Sequence, residues 1–324
     1  MLRVATYNME SFGDDRFDPD RLAPRLKALR PRLSELKADI LCLQEVNAQK
    51  RQGAQAREFL ALEALLSGTE YREYEIGHST RPNAALPADR HNLMVLSRYP
   101  IVDQKVLFQT HLQVPVWRPA HADPYTEAPQ PITFDRPILQ VEIDIGARNT
   151  LHVFVVHLRA PIAAPIPGGK LSVSSWRSVP AWAEGYFLSA LKRTAQALDL
   201  RLAVDKVFEI DPAGMILVAG DFNASGDASA LRLACADPED TGNPSLHHRQ
   251  LIQVDALLPP DARNTIIHKG RGQTLDHILV SPSLYETFSS VSVFNSGLAD
   301  EVLEAETDAK NASFHAAVCA EFNL

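Results

Sequence analysis

The sequence predicts a mixed α/β protein, and three observations point there. Apolar runs rich in Val, Ile and Leu alternate along the chain with segments of helical periodicity. The 324 residues are 45% hydrophobic and 22% charged, enough apolar mass for a substantial core. Polar residues sit repeatedly at the ends of strand-like runs, where the strand fixes a side chain and the next loop exposes it. The length suits one large α/β domain or two ordinary ones.

In chain order, the first strand covers 2–7. Met1-Leu2-Arg3 runs straight into Val4-Ala5-Thr6-Tyr7 without the pattern of a secretory leader, which points to the cytoplasm. Residues 18–38 read as a helix. Asp18-Pro19 supplies an N-cap and a first-turn proline, and Leu22, Leu26, Leu29, Leu33 and Leu36 recur at spacings of four and three. Pro31 interrupts that pattern and is expected to kink or split the helix. Further strands are expected at 39–46, 92–97, 138–145, 151–158, 215–221, 275–281, 290–294 and 316–322, and further helices at 54–66 and 180–209. Residues 111–135, with five prolines, and 160–179, with Gly168-Gly169, read as long loops. The Gly168-Gly169-Lys170 run lacks the earlier glycine of a P-loop.

Composition excludes some classes. No run of ~18 apolar residues exists, so no membrane span is expected. Cys42, Cys235 and Cys319 are scattered and odd in number, which fits reduced thiols and gives no zinc site. The net charge of −8 argues against a general duplex binder, since phosphate contacts dominate such affinity. One stretch runs the other way: residues 159–193 hold Arg159, Lys170, Arg177, Lys192 and Arg193 against a single acid, Glu184.

Five strand ends carry chemistry. Tyr7-Asn8-Met9-Glu10 ends the first strand, and Leu43-Gln44-Glu45 ends an apolar run on a carboxylate. His157 follows Val155-Val156. Asp221 and Asn223 stand two apart after Gly220, on one face of an extended segment. Leu275-Asp276-His277-Ile278 and Ser313-Phe314-His315 complete the set. Each alone has a plain reading: a strand-end Glu is an ordinary solvent cap, and a lone His after a strand is an ordinary core histidine.

Together and in this order they resemble the endonuclease/exonuclease/phosphatase superfamily. Thr6-Tyr7-Asn8, Leu43-Gln44-Glu45, Leu96-Ser97-Arg98-Tyr99-Pro100-Ile101, Phe134-Asp135-Arg136-Pro137, His157-Leu158, Gly220-Asp221-Phe222-Asn223, Leu275-Asp276-His277-Ile278 and His315 are the landmarks. The resemblance implies a four-layer α/β/β/α sandwich of two packed, mainly antiparallel sheets, like deoxyribonuclease I, formed by residues 1–324 as one domain. It implies a divalent-metal-dependent phosphodiesterase that cleaves by in-line attack of an activated water, with endonuclease action on nucleic acid as the leading substrate reading.

The resemblance assigns roles as well. Glu45 would bind Mg²⁺, supported by Asn8; Mn²⁺ can use the same oxygen ligands. Asp221 would align or deprotonate the water. Asn223, His157 and His315 would stabilise the phosphate, with Asp276 orienting His315. Arg159 is expected to face the substrate phosphate. Arg136 belongs to a landmark and can equally hold a loop. Trp176 and Arg177 are candidates for substrate contact, whereas Trp182 and Tyr186, at helical spacing, are expected to pack on the core. His111 and His121 read as surface histidines. The chain departs from the family pattern at Phe314, where relatives usually carry Asp; Asp308 is a candidate to substitute from nearby. A small-molecule or phospholipid phosphodiesterase and a non-catalytic relative are the alternatives.

Overall fold

The computed structural model describes residues 1–324 except 52 and 83. Sixteen elements position the site, labelled here in chain order. They are β1 (Leu2–Phe12), α1 (Pro19–Leu36), β2 (Ile40–Val46), α2 (Leu60–Leu66), β3 (Glu75–His78), β4 (Asn92–Ser97), β5 (Ile101–Leu107) and β6 (Ile138–Asp144). Then follow β7 (Thr150–His157), α3 (Val179–Ile210), β8 (Met215–Asp221), α4 (Ser229–Cys235), β9 (Ile252–Gln253), β10 (Asp276–Val280), β11 (Phe288–Val293) and β12 (Val318–Phe322).

The strands form two six-stranded sheets. One has the order β11-β12-β1-β2-β4-β3 and the other β9-β10-β8-β7-β6-β5. Both are mixed: β1 runs parallel to β2 and β7 parallel to β8, while the other pairings are antiparallel. Alternation of side chains sorts each strand between two cores. On β7, Leu151, Val153 and Val155 enter the core between the sheets, and Phe154 and Val156 face outward. On β1, Leu2 and Val4 face inward while Ala5, Tyr7 and Met9 face α1 and α2. A third core holds α3 and α4 against the outside of the second sheet. The result is the four-layer sandwich.

The helix of residues 18–38 forms within one residue of its expected start, and the Asp18 side chain accepts hydrogen bonds from the Asp20 and Arg21 amides. It continues through Pro24 and Pro31, so of the expected kink or split the split does not occur. Both prolines lie on the exposed face. The carbonyls that lose their partners belong to Asp20 and Lys27, which are also exposed, so water can satisfy them. The helix expected at 54–66 is shorter, starting at Leu60, with residues 57–58 in a short strand. Three edge strands, β3, β5 and the two-residue β9, carry no expectation. Ile101–Leu107 presents exposed Val102, Asp103, Gln104 and Lys105 and so lacks an apolar run. Trp182 and Tyr186 are 44% and 42% exposed with their rings 5.7 Å apart, so they stack on each other at the surface rather than in the core.

Candidate active site

The register of the second sheet builds a row of polar groups. His157 pairs with Asp221 across β7 and β8, and Asp221 with Asp276 across β8 and β10. All three share the inward parity of their strands, His157 after Val155, Asp221 after Ala219 and Asp276 before Ile278. They are therefore the polar end of the core between the sheets, and each is nearly inaccessible. Gly220 permits this close pairing. Its φ is 143°, and a Cβ there would lie 2.0 Å from the Val156 carbonyl oxygen.

The first sheet closes the cluster from the other side. Asn8 has the same inward parity as Leu2 and Val4, and its Nδ2 donates to Asp221 Oδ2 at 3.0 Å. Glu45 Oε2 accepts from the Ser11 amide at 2.8 Å, and its Oε1 lies 3.5 Å from His157 Nε2. The same His157 nitrogen is 3.3 Å from Asp221 Oδ2, while the buried Nδ1 of that ring has no partner among the described residues. His91 Nε2 stands 3.6 Å from Glu45 Oε2. His315 Nδ1 meets Asp276 Oδ2 at 2.8 Å. Ser313 fixes that segment, its hydroxyl donating to the Asn8 carbonyl and accepting from the His315 amide.

Asn223 Nδ2 donates to the Leu158 carbonyl and to Asp221 Oδ2, and its backbone amide donates to Asp221 Oδ1. Five non-glycine residues around the cluster have positive φ: Glu10, Ser11, Glu45, His91 and Asn223. Each such residue costs roughly 1–2 kcal/mol, which the surrounding packing must hold.

Electrostatics divides the groups. Burial, then the charge of Asp276, pushes the Asp221 carboxyl up to about 7. Burial holds His157 well below its ordinary value, helped by Arg136, so it is a neutral imidazole. His315 goes the other way: burial opposes its charge, but Asp276 and Asp221 outweigh it and raise it to about 10. It is an imidazolium at neutral pH.

Asp221, Asp276 and His315 bring donor atoms within 4.8 Å of one another, the spacing of a metal cluster. Asp276 Oδ2 is engaged by His315, while its buried Oδ1 has no partner among the described residues. Glu45 also suits a cation. Among the described residues, its ion-pairing neighbours are His91 and His157, both lowered by burial and hence neutral, while the guanidinium groups of Arg136 and Arg25 act on it from longer range.

Other expected residues have other surroundings. Arg136 Nη1 donates to the Leu158 carbonyl at 3.0 Å, and its buried guanidinium feels Glu45 and Asp221. Arg159 is already paired with Asp135 at 2.9 Å. Arg177 pairs with Asp123 at 2.7 Å, and Trp176 packs against Gly185 of α3 under Lys170. Neither Trp176 nor Arg177 touches the cluster. Asp308 is exposed in a short helical turn at 308–311.

Glu10 is the carboxylate that lies against the Phe314 segment. It accepts the amide of buried Phe314 at 2.8 Å, is pushed up by burial, and feels His315 and Glu45. Sequence reasoning quoted Glu10 but gave it no role. The only signal was its position two residues after Asn8.

Solved structures share this architecture. An AP endonuclease from Archaeoglobus fulgidus matches with a TM-score of 0.55 and 17% identity over 100% of both chains. A humanised TDP2 from D. rerio matches at 0.57 and 14% identity, over 100% of this chain and 99% of that one. A 3′ phosphatase, NExo from Neisseria, solved with a product DNA hairpin, matches at 0.53 and 17% identity over 100% of both. No curated protein matches the sequence. The class defined is that of hydrolases acting on phosphoester bonds in a deoxyribonuclease I-like fold. Residues 5–298 match the model of the Endonuclease/Exonuclease/phosphatase family, and the chain belongs to it.

Proposed function

We propose that the chain is a divalent-metal-dependent phosphodiesterase that cleaves by in-line attack of water, with nucleic acid as the leading substrate. The observation that carries this is the row His157–Asp221–Asp276 with His315 bonded to Asp276. A phosphodiester is anionic, so hydrolysis needs charge neutralisation, a positioned water and support for the leaving oxygen. Asp221, raised to about 7, is matched to take a proton from water near neutral pH. His315 is a fixed cation whose Nε2 is left to meet a phosphate oxygen, while Asp276 holds the ring. Asn223, His157 and Arg136 flank the same place.

Glu45 would hold the metal with Asn8 beside it, and Glu10 supplies a second carboxylate where relatives carry Asp in place of Phe314. Mg²⁺ suits these hard oxygens, as does Mn²⁺, and either would neutralise phosphate charge. Because both sheets contribute residues, residues 1–324 would act as one domain. This reading makes no use of Trp176 or Arg177.

The test is hydrolysis of bis-p-nitrophenyl phosphate and nicking of plasmid DNA with Mg²⁺, Mn²⁺ or EDTA. Cleavage should require metal and fall at least about a thousandfold in Asp221→Ala, the scale of removing a general base together with its alignment of the water. Diester cleavage without nicking favours a small-molecule or lipid substrate. Cleavage that survives EDTA sinks the metal-dependent reading.

A further inference from the structure

A groove of about 820 Å³ opens beside Asn223 and is lined by the 225–228 loop, Arg193 of α3, and Arg263. Arg263 leads into a hairpin formed by residues 266–268 and 271–273, whose Gln273 also lines the groove. Most other arginines near a carboxylate are paired with it, as in Arg57–Asp15, Arg98–Asp39 and Arg159–Asp135. These two are not. Among the described residues, Arg193 donates only to the Arg159 carbonyl at 3.0 Å, and Arg263 only to the Ala256 carbonyl at 3.5 Å. Five N–H donors per guanidinium leave most of that capacity facing open space.

In a chain of net charge −8, two unpaired guanidinium groups in one groove form a local anion site. The groove's one carboxylate, Asp227, is exposed and accepts from the Ser225 hydroxyl. His277 at the wall is buried and engaged by Asp255 and the Ala224 carbonyl. Among the described residues no Phe, Tyr or Trp lines the groove, so these residues offer no stacking platform for a base. Guanidinium groups match the fork geometry of phosphate oxygens.

We propose that this groove binds a second phosphate of the substrate, flanking the one cleaved, through Arg193 and Arg263. The proposal rests on the phosphodiesterase reading for the position of the scissile group. Two sources present that chemistry: the next phosphate of a nucleic-acid strand, and a small polyol bisphosphate.

Binding is titrated calorimetrically in EDTA, so no turnover is needed. The strand series compares TpT, with one phosphate, to TpTpT, with two. The small-molecule series compares fructose 6-phosphate to fructose 1,6-bisphosphate. The second phosphate should tighten binding by about tenfold in one series, which identifies the source, and Arg263→Gln should remove that gain. Arg193→Gln should do the same. Since Arg193 also holds the Arg159 carbonyl and its loss can disturb folding, Arg263→Gln, which gives up a single long contact, decides. No gain in either series, or a gain intact in folded Arg263→Gln, overturns the proposal. A chain that hydrolyses nothing but keeps the two-phosphate preference supports the groove and sinks the catalytic reading instead.

Discussion

His277 has no exposed surface, yet both ring nitrogens face acceptors: Asp255 Oδ2 at 2.8 Å and the Ala224 carbonyl at 2.9 Å. The Gln253 amide nitrogen also lies 3.0 Å from Nδ1 but donates to Asp255 Oδ2 at 2.7 Å, so each ring nitrogen carries an N–H for its acceptor and the ring is a buried imidazolium paired with a buried carboxylate. Burial opposes both charges, but the mutual attraction and hydrogen bonds outweigh it, raising His277 and lowering Asp255. Removing one partner strands the other, so Asp255→Asn should cost about 3–5 kcal/mol in urea unfolding at neutral pH. The pH dependence follows from the signs. Asp255, lowered in the fold, loses its contribution as pH falls below about 4. His277, raised in the fold, loses its contribution as pH climbs past about 6.5 and through its folded value. The gap between wild type and Asp255→Asn should therefore be widest between those limits; a gap flat across pH would remove the ion-pair explanation. At this scale most of the candidate site was legible, because Asn8, Glu45, His157, Asp221 and Asp276 each end an apolar run. Glu10 was not. Its meaning depends on Phe314, 304 positions away, and on a bond from a backbone amide that no side-chain pattern records.

Long helix α3 does more than cover the second sheet. Near its middle, Asp199 accepts the Thr110 and His111 amides; near its start, Glu184 accepts Trp117 Nε1 and the Ala120 and His121 amides. Two carboxylates thus pin the proline-rich loop of residues 111–135 to one rod. Burial raises Glu184, but these hydrogen bonds prevail and its carboxyl sits below the ordinary range. Glu184→Ala should speed proteolytic cutting within 111–135 by about tenfold while leaving the global melting temperature within a few degrees, because local opening is what the bonds restrain. Equal rates in both proteins would show that the loop is held elsewhere. The extent of α3 was readable within one residue at each end from its apolar content. Its pinning role was not, since an acid on a helix reads as solvated until the loop's amides are seen to converge on it. Edge strands β3 and β5 escaped for a related reason: half of an edge strand's surface is polar, which erases the apolar run.

Taken whole, the chain carries 40 acidic residues against 32 Lys and Arg, and the cations that the site and the adjoining groove offer to phosphate are Arg136, Arg193, Arg263 and the imidazolium of His315. A binder with so few phosphate partners releases few counterions. The logarithm of affinity for a single-stranded oligonucleotide should fall with the logarithm of salt at a slope no steeper than about −3. A much steeper slope would mean that a basic surface elsewhere does the binding. The two sheets and their landmark residues were legible through the family resemblance, while their mixed strand directions emerge only from pairing. That pairing has a further result. β1 is an interior strand whose neighbour on one side is β12, so Val4 lies opposite Ala320 across nearly the full sequence. A ribosome releases β1 first and β12 last. Through most of synthesis the emerging β1 has one bare edge, and His315 reaches Asp276 only when that edge is filled. Nascent chains are therefore the form in which this protein most needs protection from pairing with a neighbour.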